Sequence, residues 1–106
     1  MLVSVLLAAF LSEPGPFVLA NASGGILSDL AIRPSDGSGS WRSMTPGALA
    51  SGGRTAMPSP GGQLCAFDIR AKVGGTMVTW SSINLCDVKV VTLNRRSDGT
   101  LWVDYD

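Results

Sequence analysis

The stretch LCAFDIRAKVGGTMVTWSSINLC, residues 64–86, decides the fold. From Leu64 to Lys72, Cys65, Phe67 and Ile69 fall on one face, with Ala66, Asp68 and Arg70 opposite. A two-residue period marks a half-buried strand. Val73-Gly74-Gly75-Thr76 then turns the chain, and a Gly-Gly pair suits the primed turns of tight hairpins, whose central residues take positive φ. Met77–Ser81 returns as the partner strand, with Val78 and Trp80 sharing a face. Ser82–Leu85 reads as a short connection, and Cys86 opens a further strand to Leu93 in which Cys86, Val88 and Val90 share a face. Both cysteines point to the apolar side of their strands. This pattern predicts a buried Cys65–Cys86 disulfide between two inward-facing strands.

Outward from this stretch, strand signals alternate with turn signals at short spacing. Phe17–Asn21 is a first strand, followed by a turn at Asn21–Gly25. Ile26–Arg33 carries Leu30 and Ile32 on one face and Asp29, Ala31 and Arg33 on the other. Pro34–Gly53 is a Gly-, Ser- and Pro-rich loop whose Trp41, Met44 and Leu49 are expected to fold back onto the core. Arg54–Met57 is a short strand, Pro58–Gly62 a turn, and Thr100–Tyr105 the last strand after the Asp98-Gly99 turn. About seven short strands with a turn every eight to twelve residues predict an all-β protein, a small antiparallel β-sandwich with one disulfide; a partly open barrel is the alternative.

Composition bounds the function. The 106 residues make one domain, and 45% hydrophobic content rules out disorder by composition. Eight basic and eight acidic residues cancel, so no general field draws nucleic acid or an anionic membrane surface. Arg95-Arg96 is the lone adjacent basic pair, too little for a phosphate-tracking stripe. In a reducing compartment the two cysteines would be buried thiols or a redox pair. They lack C-x-x-C spacing, and with no histidine in the chain a zinc site would need carboxylates that are not clustered. A disulfide closing this loop constrains the unfolded chain by about 3 kcal/mol, and it implies an oxidising compartment.

The N-terminus agrees with export. Leu2–Leu11 (LVSVLLAAFL) is an apolar run of ten residues, too short to span a bilayer and suited to the h-region of a signal peptide. No Lys or Arg precedes it, so a start internal to a longer leader is one reading, and an uncleaved anchor or a buried helix are others. Cleavage at Ala20-Asn21-Ala22 would delete the first strand; Ala8-Ala9 or the break at Ser12-Glu13-Pro14 would not. Pro14-Gly15-Pro16 stops any helix arriving from the left. The expected organisation is a signal peptide or leader over 1–16 and a β-sandwich domain over 17–106, with no stable membrane span.

Several of these stretches together resemble a family of small exported alphaproteobacterial domains of unknown function, often labelled Tat-pathway signal or hypothetical proteins. The likeness rests on Phe17-Val18-Leu19-Ala20-Asn21-Ala22-Ser23-Gly24, on Ile32-Arg33-Pro34-Ser35 with the following Trp41, on Cys65-Ala66-Phe67-Asp68-Ile69-Arg70, and on Asn84-Leu85-Cys86. It covers most of Phe17–Leu93 and implies a small disulfide-containing β-sandwich. The leader lacks twin arginines, which departs from the Tat pattern and leaves the Sec route or a shortened start.

The chemistry-bearing residues are few. Asp68 and Arg70, two apart on one strand, share a face and offer either a site for a ligand carboxylate or a divalent ion, or a rim ion pair worth about 0–1 kcal/mol; Lys89 would lie opposite Asp68 if those strands paired. Trp41 and Trp102, with Trp80 and Tyr105, offer either an aromatic platform for sugars or core filling. Trp80 is expected in the core, and Trp102, alternating with Asp104 and Asp106, is expected to be exposed. Asp36-Gly37-Ser38-Gly39-Ser40 falls short of the six to eight oxygens a Ca²⁺ site takes and reads as a surface loop. Asn21-Ala22-Ser23 is a glycosylation sequon or an Asx turn in which asparagine caps its own backbone. Without histidine a serine triad lacks its imidazole base, and no phosphate or dinucleotide fingerprint is present, so neither catalytic residues nor cofactors are expected. The expected function is an exported, periplasmic or secreted, non-catalytic structural or interaction domain whose partner is a protein or glycan of the cell envelope. The alternatives are a carbohydrate- or peptide-binding module using Trp41 and Trp102, and a small hydrolase or lyase, which would need a pocket of convergent polar groups.

Overall fold

The computed structural model describes residues 12–106; the apolar run Leu2–Leu11 lies outside them. Eight strands follow in chain order: β1 (Phe17–Ala22), β2 (Leu27–Pro34), β3 (Arg42–Ser43), β4 (Arg54–Met57), β5 (Ala66–Val73), β6 (Thr76–Asn84), β7 (Val90–Arg95) and β8 (Leu101–Tyr105). They form two four-stranded sheets, ordered β4-β1-β7-β8 and β3-β2-β5-β6. The expected sandwich is thus present, with one difference. β1 and β7 run parallel, Leu19 level with Val91, while every other strand pair is antiparallel. The chain between β1 and β7 builds the whole second sheet before returning, so the parallel pair is joined by a long crossover.

The core lies between the sheets. Leu19, Val91 and Leu93 from the first sheet meet Leu27, Leu30, Ile69, Trp80 and Ile83 from the second, all essentially inaccessible to solvent. Each side chain of this size contributes about 1.5–3 kcal/mol on leaving water. The β5–β6 hairpin follows its sequence: Val73 pairs with Thr76, and Gly74 and Gly75 take φ of 58° and 82°, the left-handed conformation a primed two-residue turn requires.

Two irregularities reset the alternation. Between Ser28 and Ala31 the β2–β5 register shifts and Asp29 adopts φ 51°, so Leu27 and Leu30 both reach the core although only Ser28 and Asp29 stand between them, a spacing that would put them on opposite faces of a regular strand. In β6 the pairs Phe67–Ile83 and Ile69–Trp80 leave Ser81 and Ser82 opposite Asp68. This is a bulge, with Ser82 at φ 56°. It lets β6 run on through Asn84, where the sequence reads a connection from Ser82.

The disulfide is present, with a Cα–Cα separation of 5.2 Å. Its setting differs from the expected one. Cys65 precedes β5, and Cys86 lies beyond β6 in the connection to β7, which starts only at Val90. The bond therefore staples the open end of the β5–β6 hairpin, beside the Leu85 N–H bond to the Cys65 carbonyl at 2.9 Å. Cys86 also bridges Pro14, which is buried and whose carbonyl accepts the Ser59 hydroxyl at 2.6 Å. The loop over 34–53 holds β3 and a bridge from Leu49 to Leu27; Met44 and Leu49 are buried in it as expected.

Candidate functional site

The outer face of the second sheet gathers three of the four proposed binding residues: Trp41, Asp68 and Arg70. On β5, Phe67, Ile69 and Ala71 point into the core, so Asp68 and Arg70 alternate outward. Arg33 of β2 pairs with Asp68 across the strands. Trp41, just ahead of β3, lies over this face with the Arg33 guanidinium carbon 4.4 Å and the Arg70 guanidinium carbon 4.5 Å from its ring centroid. Both contacts are within cation–π range.

Asp68 is neither a rim residue nor the partner of Arg70. It is 6% exposed, and its three contacts lie elsewhere. Oδ2 accepts Arg33 Nε at 3.2 Å. Oδ1 accepts the Ser35 hydroxyl at 2.6 Å and the Ser82 N–H of the β6 bulge at 3.0 Å. Burial pushes its carboxyl upward, but the bonds from Ser35, Ser82 and Arg33 outweigh this and hold it below the usual carboxylate value. Lys89 is not opposite Asp68, because β5 pairs with β2 and β6; its N–H instead bonds the Asp106 carbonyl at 2.8 Å. Sequence reasoning missed Arg33, Ser35 and Ser82 as partners. Arg33 carried a signal, its outward place in ILSDLAIR. The β-bulge that aims Ser82 at Asp68 carried none.

The Arg70 side chain makes no ion pair or hydrogen bond among the described residues, and its Nε is shielded from solvent with no acceptor. The other cation on this face, Lys72, is paired with Asp29 at 3.6 Å at the exposed surface.

Trp102 is not part of this cluster. It stands on the outer face of β8 in the first sheet, 37% exposed, with the Arg96 guanidinium 5.0 Å from its ring centroid. The two tryptophans proposed as one platform thus sit on opposite faces of the sandwich, and the Trp41 ring is already engaged by two guanidiniums. Trp80 is in the core, its indole N–H bonded to the Asn94 carbonyl at 2.9 Å.

The remaining candidates are structural. Asn21 is 2% exposed; its Oδ1 accepts the Ser23 N–H and hydroxyl, the expected Asx turn, and its Nδ2 donates to the Gly25, Leu49 and Ala50 carbonyls. Asp36 caps the Ser38 N–H at 2.8 Å in an exposed loop. Among the described residues there is no group of three or more His, Cys, Asp or Glu able to hold a metal.

Two recesses open between the sheets, one at each side. A groove of about 230 Å³ is lined by Phe17, Ile32, Met44, Met57 and Pro58, with Arg42 its one charged residue, itself donating to the Pro60 carbonyl. On the other side an open cleft of about 440 Å³ lies between Thr79–Ser81 of β6 and Leu101–Val103 with Tyr105 of β8. β6 is an edge strand of nine residues, against two in β3, four in β4 and five in β8, the other edges. It carries no charged residue and no proline, the devices that commonly blunt such edges.

Neither a family model nor a curated protein matches the chain. An NMR structure of a protein from Eubacterium rectale is similar, with a TM-score of 0.61 and 16% identity over 88% of each chain. At that identity the likeness shows the fold alone. Among the described residues no helix is long and apolar enough to cross a membrane.

Proposed function

We propose that the chain is an exported, periplasmic or secreted interaction domain without catalytic activity, which receives an extended segment of an envelope protein along the free edge of β6. The long, uncharged edge of β6 is the observation that carries this reading. The two-residue turn makes Val73–Thr76 a hydrogen-bonded pair, so Val78 and Trp80 also bond toward β5 while the N–H groups of Met77 and Thr79 face the open side. An added strand would take up these groups and lie in the cleft against β8. Near Asn84 the edge is closed, because its N–H donates to the Tyr105 hydroxyl at 3.0 Å. Export is supported by the disulfide, by the leader-like run Leu2–Leu11 and by the resemblance to small exported domains. The lack of histidine and a groove with no convergent titratable groups support a non-catalytic role.

The test is selection of linear peptides against the folded domain, followed by amide mapping. Bound peptide should shift the Met77–Ser81 amides, and Thr79→Pro, which removes an edge-facing N–H tolerated as proline, should abolish the effect. Peptides that bind T79P as well as the parent would refute the reading. Intact mass of the protein recovered from its host's envelope should show a shortened N-terminus and two missing hydrogens; an unprocessed chain in the cytosol would refute export.

A further inference from the structure

We propose that Arg70, with Arg33 and Trp41, forms a recognition site for the carboxylate of an acidic peptide side chain. The argument starts from charge. Two guanidiniums lie within 4.5 Å of one indole centroid, so two like charges are held as near neighbours. Asp68 is the one carboxylate bonded within this cluster, and both its oxygens are committed: Oδ2 to Arg33, Oδ1 to Ser35 and Ser82. Among the described residues one positive charge is left without a counter-ion, and Arg70 is the residue with no ion pair. Its Nε is out of solvent and has no acceptor. Buried donors are rarely left unbonded in folded proteins; this one is covered, so an incoming acceptor meets the remaining N–H groups and the unneutralised charge of a half-buried guanidinium on the outer face.

The geometry selects the ligand. A guanidinium held against an aromatic ring is restrained in place, and its planar N–H fork is pre-organised. That fork matches the two oxygens of a carboxylate. A single unneutralised charge suits a monoanion. The Trp41 ring already holds two guanidiniums, so it is less free to stack on a pyranose, which favours a peptide carboxylate over an acidic sugar. Arg70 pairs with Thr79 across β5 and β6, so the site adjoins the β6 edge; the readouts separate the two, since ligand here moves the Arg70 and Trp41 side-chain signals and a strand added at the edge moves the Met77–Ser81 amides.

The test uses the ¹⁵N-labelled domain and the capped peptide acetyl-Gly-Glu-Gly-Glu-Gly-amide, with its glutamine counterpart as control. The expected result is saturable movement of the Arg70 Nε–H and Trp41 indole N–H signals with the glutamate peptide alone, weakened by added salt. Arg70→Gln should reduce binding about tenfold or more, and Arg70→Lys, which keeps the charge but loses the fork, should bind measurably worse than the parent. Folding of each variant is read from unchanged core amides such as Leu93. Equal shifts with the glutamine peptide, full binding by R70Q, or binding of an oligogalacturonate with no response to the glutamate peptide would overturn the proposal. Shifts confined to Met77–Ser81 would report on the β6 edge and would equally overturn it.

Discussion

Replacing Asn21 by alanine should be among the most damaging single changes in this domain. Its carboxamide is a hub at the end of β1. Nδ2 donates to the Gly25 carbonyl at 2.8 Å and to the Leu49 and Ala50 carbonyls at 3.0 Å. Oδ1 accepts the Ser23 N–H at 3.0 Å and its hydroxyl at 2.6 Å. Because Leu49 bridges Leu27, the hub ties the first sheet to the second. Truncation does not orphan the three carbonyls. Leu49 keeps the Leu27 N–H, Ala50 keeps the Gly53 N–H and Gly25 keeps the Ser23 hydroxyl. The Ser23 N–H does lose its acceptor in a buried place. Two net hydrogen bonds at about 1 kcal/mol each plus one orphaned donor at about 1–3 kcal/mol give a loss of about 3–5 kcal/mol. That is a large share of a small domain's stability. Thermal unfolding followed by near-UV circular dichroism should show Tm falling by roughly 15–35 °C. Asn21→Asp should be no better, since it sets an oxygen against three carbonyl oxygens, while Ser23→Ala, which leaves the N–H bond to Oδ1 intact, should cost only about 1 kcal/mol. A Tm drop below about 5 °C for N21A would refute the reasoning.

Three further outcomes follow from the same coordinates. The double variant Cys65→Ala/Cys86→Ala should keep the sandwich but lose about 3 kcal/mol in chemical denaturation, the closure entropy of a loop of 21 residues' separation; an unchanged midpoint would contradict it. Asp68 has a folded pKa below its unfolded value, so its stabilisation is present above the ordinary carboxylate value of about 3.9 and is lost as pH falls through the folded pKa. Denaturation from pH 7 down to pH 2 should therefore show an acid limb that Asp68→Asn flattens but does not remove, because bonds from Ser38 and Thr100 also lower Asp36 and Asp98. Gly75→Ala meets no steric neighbour but places a side chain at φ 82°, and should cost about 1–2 kcal/mol by urea titration.

Much of the site lay in plain view along the chain, and part of it did not. Cys65-x-Phe67-Asp68-Ile69-Arg70 shows the outward pair Asp68 and Arg70 by alternation, and Trp41 shows itself as an aromatic in a polar loop. Nothing local says that Asp68 belongs to Arg33 or that Trp41 folds over β2 and β5 instead of into the core like Trp80. Those facts depend on which strand lies beside which, and by how many residues it is shifted.

The sequence by itself determined the all-β character, the turn at Gly74-Gly75, the inward-facing residues of the hairpin and the pairing of its two cysteines, because period-two burial and positive-φ turns act over a few residues. The tertiary structure alone decided that β1 lies parallel to β7, that Cys86 falls outside any strand, that bulges at Asp29 and Ser81–Ser82 reset the faces, and that Arg70 has no ion-pair partner among the described residues. Alternation records which side of a strand is buried but not its direction, its neighbour or its register, and those are chosen by long-range pairing between segments far apart in the chain.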